Sequence, residues 1–261
     1  MRKIVFALVC ALTLTLTSCL KDTGYSRTEY GSTIVTIDTT TSPISFKNFY
    51  NGQVYKNVVG LQYPEDLEKF KIRDTQLAVL SLRFDTDAAY RQTITALGGE
   101  PVERSTITNI TPVFSQQPLL SLYPLVDYGT YTPTLLVRDG YLGVCPIIPA
   151  KQEGTCYLMP EKVGNDTLYF KLTASYKEEK GARAYKTLFY DLRTLRDTAN
   201  ADPTLRTKMT EALNALTEQR GDSMYIAVMY GELNYSLNAQ GKDTTIIKNK
   251  IDVSNFFEYD F

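Results

Sequence analysis

The chain has no histidine, no tryptophan and only four cysteines. Without histidine, His-based catalytic triads and His-ligated metal sites are impossible. No P-loop, GxGxxG, GxSxG or CxxC pattern occurs, so the signatures of phosphate cradles, dinucleotide folds, nucleophile elbows and dithiol redox centres are missing. Asp85-Thr86-Asp87 lacks the third acidic residue and the glycine that a calcium loop needs, so neither a metal nor any other cofactor is expected. A basic excess is also missing, with 28 basic residues against 29 acidic ones, which argues against nucleic acid as a partner. The chain also lacks an apolar run long enough to span a bilayer, which needs about 20 residues.

One shorter apolar run is present. Ile4 to Leu16 is interrupted only by Thr13 and Thr15 and is preceded by Arg2 and Lys3. A charged start and a run of this length match a secretory signal. Leu16-Thr17-Ser18-Cys19 follows directly, an aliphatic residue and two small ones before a cysteine, which is the bacterial lipobox pattern. Residues 1–18 are therefore expected to be removed and Cys19 to be acylated, tethering the body to the lipid bilayer. Several acyl chains hold firmly where one does not, since each buried methylene adds about 0.8 kcal/mol. The expected address is a lipid-anchored position at the outer membrane, with the periplasmic and surface faces both open. Cys10 lies inside the apolar run and does not serve as the anchor.

The remaining chain of about 240 residues is long enough for one large or two small domains. Without Arg2 and Lys3 it carries 26 basic and 29 acidic residues, net −3. Cys145 and Cys156 are left in an oxidising compartment, where a disulfide closing the short loop between them is expected; two buried thiols are the alternative. A catalytic thiol would lack a histidine to deprotonate it.

Residues 19–31 are polar and read as a flexible tether. Thr33–Asp38, Val54–Leu61 and Gln76–Phe84 alternate or are β-rich, and in the last of these Ala78, Leu80, Leu82 and Phe84 form the expected core face. Residues 85–97 read either as a short helix stopped by Gly98-Gly99 or as a twisted strand. Pro112, Pro118, Pro124 and Pro133 punctuate a zone where the domain boundary is expected. Beyond it, Asp139-Gly140 between Thr134–Arg138 and Tyr141–Cys145 is a strong hairpin signal. Further strands are expected at Cys156–Met159, Thr167–Tyr176, Tyr185–Leu192, Ser223–Tyr235 and Thr244–Val253. Leu205, Met209, Ala212, Leu213 and Leu216 form one apolar stripe behind Asp202-Pro203, predicting an inserted helix over about 203–220.

Asp139-Gly140-Tyr141-Leu142-Gly143-Val144, Asp166-Thr167-Leu168-Tyr169-Phe170-Lys171-Leu172, Leu188-Phe189-Tyr190-Asp191-Leu192 and Tyr225-Ile226-Ala227-Val228-Met229-Tyr230 together resemble the NigD-like lipoproteins of the bacteroidete type. That family often has a histidine in the strand after the hairpin, and this chain has none. The resemblance implies a mainly β protein of two domains, an N-terminal OB-like barrel over 32–114 and a C-terminal antiparallel β-sandwich-like domain over 134–261, joined by a Pro-rich connector over 115–133. It also implies an association with bacteriocin immunity and supplies no catalytic residue. A second resemblance concerns modification. Asp-Ser/Thr followed by a residue such as Ala, Met or Thr is similar to the O-glycosylation pattern of bacteroidete-type periplasmic proteins, and it marks Thr39, Thr198, Ser223 and Thr244 as candidates.

The expected function is a non-catalytic binding or assembly role for a glycan, peptide or protein partner. Tyrosine is abundant, at 19 residues, and the segment Tyr123–Tyr131 supplies contact candidates. Bacteriocin immunity or envelope protection is the second reading, and a carboxylate-dependent hydrolase the third.

Overall fold

The computed structural model describes residues 26–72, 77–87, 89–107, 116–125, 133–164, 167–192, 194, 203, 223–237 and 243–258. Cys19, Thr198 and nearly all of the expected helix over 203–220 lie outside them. The chain is mainly β, and it divides into two compact units, Met1–Val102 and Glu103–Phe261. No helix among the described residues is long and apolar enough to cross a membrane.

The first unit holds β1 (Arg27–Asp38), β2 (Ser45–Asn48), β3 (Val54–Tyr55), a short helix α1 (Asp66–Lys69), β4 (Leu77–Thr86) and β5 (Gln92–Pro101). The hydrogen-bonded order is β3-β2-β1-β4-β5, antiparallel throughout. Just past β3, Val59 meets Thr95 of β5 in a parallel bridge, held by Val59 N donating to Ile94 O and Ala96 N donating to Val59 O. That bridge brings the two ends of the sheet together. Strand 1 between 2 and 4, strand 3 parallel to 5, and a helix between 3 and 4 make the five-stranded Greek-key arrangement of an OB-like barrel.

The pleat explains the core of this unit. Ala78, Leu80 and Leu82 are buried, as the alternation in β4 requires, and they meet Val35, Ile37, Phe46, Val58 and Leu61. Leu67 of α1 plugs one end, 1% exposed. The Asp66 carboxylate accepts from the backbone N–H groups of Gln62 and Tyr63 and pairs with Lys69, fixing the turn that delivers Leu67. Residues 92–101 take the strand alternative. Gly99 packs closely there: a Cβ would sit 2.9 Å from Leu80 Cδ2 and push the end of that leucine aside. The expected tether is shorter than 19–31, since β1 begins at Arg27 and pairs with Thr86 there.

The second unit is built from three sheets. One contains β6 (Ser121–Leu122), β9 (Pro146–Ile148) and β12 (Ala184–Tyr185), in the order β12-β9-β6. Another contains β7 (Leu135–Arg138), β8 (Tyr141–Val144) and β13 (Leu188–Asp191), in the order β13-β8-β7. The largest runs β10 (Thr155–Val163), β11 (Thr167–Ser175), β14 (Ser223–Leu237) and β15 (Asp243–Glu258). Asp139 and Gly140 turn the β7–β8 hairpin with positive φ at both positions, the mirror-image turn that matches strand twist. The expected all-antiparallel domain carries parallel pairing as well: β11 and β14 run parallel, Leu168 opposite Ile226 and Phe170 opposite Val228.

The boundary falls earlier than the expected connector at 115–133. Ser105 N donates to Phe189 O and Ile107 bridges to Leu158, so the second unit already begins there. Leu119, Leu122 and Leu125 are buried, and Leu119 exchanges backbone bonds with Gly231 and Leu233. The prolines punctuate a segment woven into the core. Their composition resembles a linker, but the leucines between them have apolar area to bury.

Candidate functional site

β9 is flanked by β6 on one edge and β12 on the other, with Ile147 opposite both Ser121 and Tyr185. Opposed residues share a face, and so do residues two apart in one strand. Tyr123, just past β6 and held by its N–H donating to Cys145 O, therefore falls on the face of Tyr185. The two rings stack with centroids 5.6 Å apart and planes 9° off parallel. Each residue is 43% exposed. A stacked aromatic pair is a stiff surface with an apolar face and a polar rim.

Beside Tyr185 lies a small, shallow cleft, open to solvent. Its lining includes the apolar Pro146, Ile148 and Leu188 together with Glu153, Tyr185 and Lys186, and Gly154 and Cys156 also border it. Lys186 Nζ stands 3.3 Å from Glu103 Oε2 and 3.7 Å from Glu153 Oε2, placing a donor and two acceptors around the opening. A second exposed pair, Lys151 with Glu179, forms nearby in the chain. Gly154 is obligatory in its wall: a Cβ would meet Ser175 O at 2.7 Å and Ile148 Cδ1 at 2.8 Å.

Under the cleft the side chains are drier. Cys145 is 3% exposed, and Cys156 packs against the core. Both are thiols, so the expected disulfide is not formed in this structure; apolar packing houses the two side chains without a bond. Burial, with a smaller contribution from Cys145, pushes the Cys156 thiol from 9.0 up to about 12. Such a thiol is protonated at neutral pH and a poor nucleophile. Tyr190 lies close enough to Cys156 to interact with it electrostatically, and burial holds its phenol well above the usual range. Its hydroxyl is buried with no hydrogen-bond partner among the described residues.

The carboxylates with displaced acidity lie elsewhere. Asp66 is lowered by Lys69 and by the N–H groups of Gln62 and Tyr63. Asp87 is lowered first by the Arg91 N–H, then by the Arg91 side chain and the Ala89 N–H. Each accepts bonds from its own turn, which is the chemistry of a cap. Among the described residues, no group of three or more Cys, Asp or Glu side chains is placed to hold a metal ion.

Of the other marked positions, Thr39 is exposed at the bend after β1, where the Asp38 carboxylate accepts from Thr40 N and Thr40 Oγ1. Ser223 opens β14 and Thr244 is the second residue of β15, while their side chains lie outside the described residues. Tyr123 is where the tyrosine-rich segment contributes; 126–132 lie outside the description. Tyr185, Lys186 and Glu153 carried no signal of their own in the sequence. Their convergence depends on strand order around β9, which spacing does not encode.

No protein-family model and no curated protein matches the chain. Among solved structures, it is similar to a NigD-like immunity protein from Bacteroides caccae, at 12% identity and a TM-score of 0.41, over 84% of this chain and 91% of that one. A toxin-related protein from Parabacteroides distasonis is similar at 10% identity and a TM-score of 0.39, over 85% of this chain and 93% of that one. A protein of unknown function from Bacteroides vulgatus is similar at 11% identity and a TM-score of 0.36, over 85% of this chain and 91% of that one.

Proposed function

We propose that this chain is a lipid-anchored, non-catalytic binding protein of a Gram-negative envelope, held at the outer membrane through acylated Cys19. Its ligand is engaged at the tyrosine pair and cleft of the second unit. The observation that carries this reading is the parallel stack of Tyr123 and Tyr185, solvent-exposed beside a cleft rimmed by Lys186 and Glu153. A single exposed aromatic is ordinary; two held ring-on-ring by neighbours of one central strand form a prebuilt platform. The rim supplies charged donors and acceptors on either side of that platform, which suits a ligand with one apolar face and many polar edges. A glycan ring fits that description, and so does a short peptide.

The test is binding of the soluble body, from Lys21 onward, to a glycan array and a peptide array. Tyr185→Ala is expected to weaken the bound species about tenfold or more, as truncation of an aromatic anchor does. Binding that is indifferent to both Tyr123→Ala and Tyr185→Ala would move the site elsewhere. Anchoring is tested separately: Cys19→Ala should abolish palmitate labelling and release the protein from the membrane fraction.

A further inference from the structure

The first six residues of β1, Arg27–Ser32, run beyond the part of the strand that pairs with β2. They are all exposed, Tyr30 at 72%, and are bonded only to β4 among the described residues. The direction of their other backbone groups follows from the register. Phe49 N donates to Ile34 O, so the even-numbered residues of β1 point N–H and C=O toward the β2 side. On that side, past the end of β2, the backbone groups of Thr28, Tyr30 and Ser32 therefore form a strand edge with no partner among the described residues.

From the charge order along this edge we infer that it is an interface for a second copy of the same chain, paired antiparallel about a two-fold axis at Thr28. A two-fold contact must be self-complementary. Arg27 and Glu29 pair with each other within the chain, 2.5 Å apart, and a contact centred on Thr28 sets this pair against its own copy, Arg27 opposite Glu29 and Glu29 opposite Arg27, so that every charge meets an opposite one. Thr28 then faces Thr28, a favourable cross-strand pair. Centring on Glu29 or Arg27 would oppose like charges, which antiparallel strands disfavour. The outer strand β15 of the largest sheet is different: it presents Lys248 and Lys250, the lysines that keep edges single. In the anchored protein, β1 follows Cys19 by so few residues that both edges would lie near the same membrane plane. Confinement there raises their effective concentration.

The experiment uses the full acylated protein in membranes. Thr28→Cys should form a disulfide-linked dimer under mild oxidation, because facing hydrogen-bonded residues lie about 5.5 Å apart at Cα, within disulfide reach. Tyr63→Cys, exposed but away from β1, is the collision control. In the Thr28→Cys background, Arg27→Glu or Glu29→Arg should lower the dimer yield about tenfold, and the double exchange should restore it. A yield at Thr28→Cys no higher than at Tyr63→Cys, or charge reversals without effect, would overturn the proposal.

Discussion

The Tyr190 hydroxyl is an unusual side-chain group in this protein. Its ring belongs to the core of the second unit, yet its oxygen has no partner among the described residues. An unsatisfied buried hydroxyl costs about 1–3 kcal/mol. Tyr190→Phe is therefore expected to raise the stability of the second unit by up to that amount in chemical denaturation. A loss of stability would show that the oxygen is bonded in solution. The same burial governs behaviour in base. Burial raises the phenols of Tyr176, Tyr190 and Tyr230, and Cys156 rises to about 12. A raised acid constant means that the fold keeps a proton that the unfolded chain gives up. Stability from these groups is full below about pH 8, where even the unfolded thiol keeps its proton, and drains away as the pH climbs toward 12. An absorbance titration of phenolate should show the exposed tyrosines ionising first and the buried ones only with unfolding. A single smooth titration of all tyrosines in the folded protein would contradict it.

At the scale of elements, α1 is the smallest and among the most consequential. It is a four-residue helix whose buried contribution is Leu67. Leu67→Ala should cost about 2–5 kcal/mol and shift the unfolding midpoint of the first unit, since a side chain at 1% exposure leaves a cavity on truncation. The signals of this element are local ones, Pro64 and the acidic Glu65, Asp66 and Glu68, which mark a helix start. The β4 core face and the Asp139-Gly140 hairpin were legible for similar reasons: alternation and turn chemistry are local. Residues 85–97 were ambiguous, because Asp and Gly-Gly signals suit a helix end and a strand entry equally. What decides it is Gly99 approaching Leu80, a contact between chain segments. The cleft was illegible for the same reason. Tyr123 was marked by its surroundings in sequence, but its stacking partner Tyr185 is brought in by β12 pairing with β9.

At the scale of the whole chain, the division lies between Val102 and Glu103, and the proline-punctuated stretch belongs to the second unit. A fragment over 103–261 should therefore give dispersed amide spectra, while one beginning at 134 should not, because it lacks Leu119, Leu122 and Leu125. Equal folding of the two would restore a connector at 115–133. Composition misplaced the boundary because prolines report on local backbone geometry, whereas a boundary is defined by which contacts fail to cross it. The parallel pairing of β11 with β14 has a further consequence, in time. A chain made from its N-terminus presents β11 long before Tyr225 arrives to pair with Leu168 and its neighbours. Until then the middle of the largest sheet has a vacant place, and β10 with β11 is only a lone hairpin, marginal by itself in water. The first unit has its partners within its own sequence and can close early. The second must wait for nearly its whole length, and that interval is when a bare β11 is open to wrong partners and a chaperone would matter most.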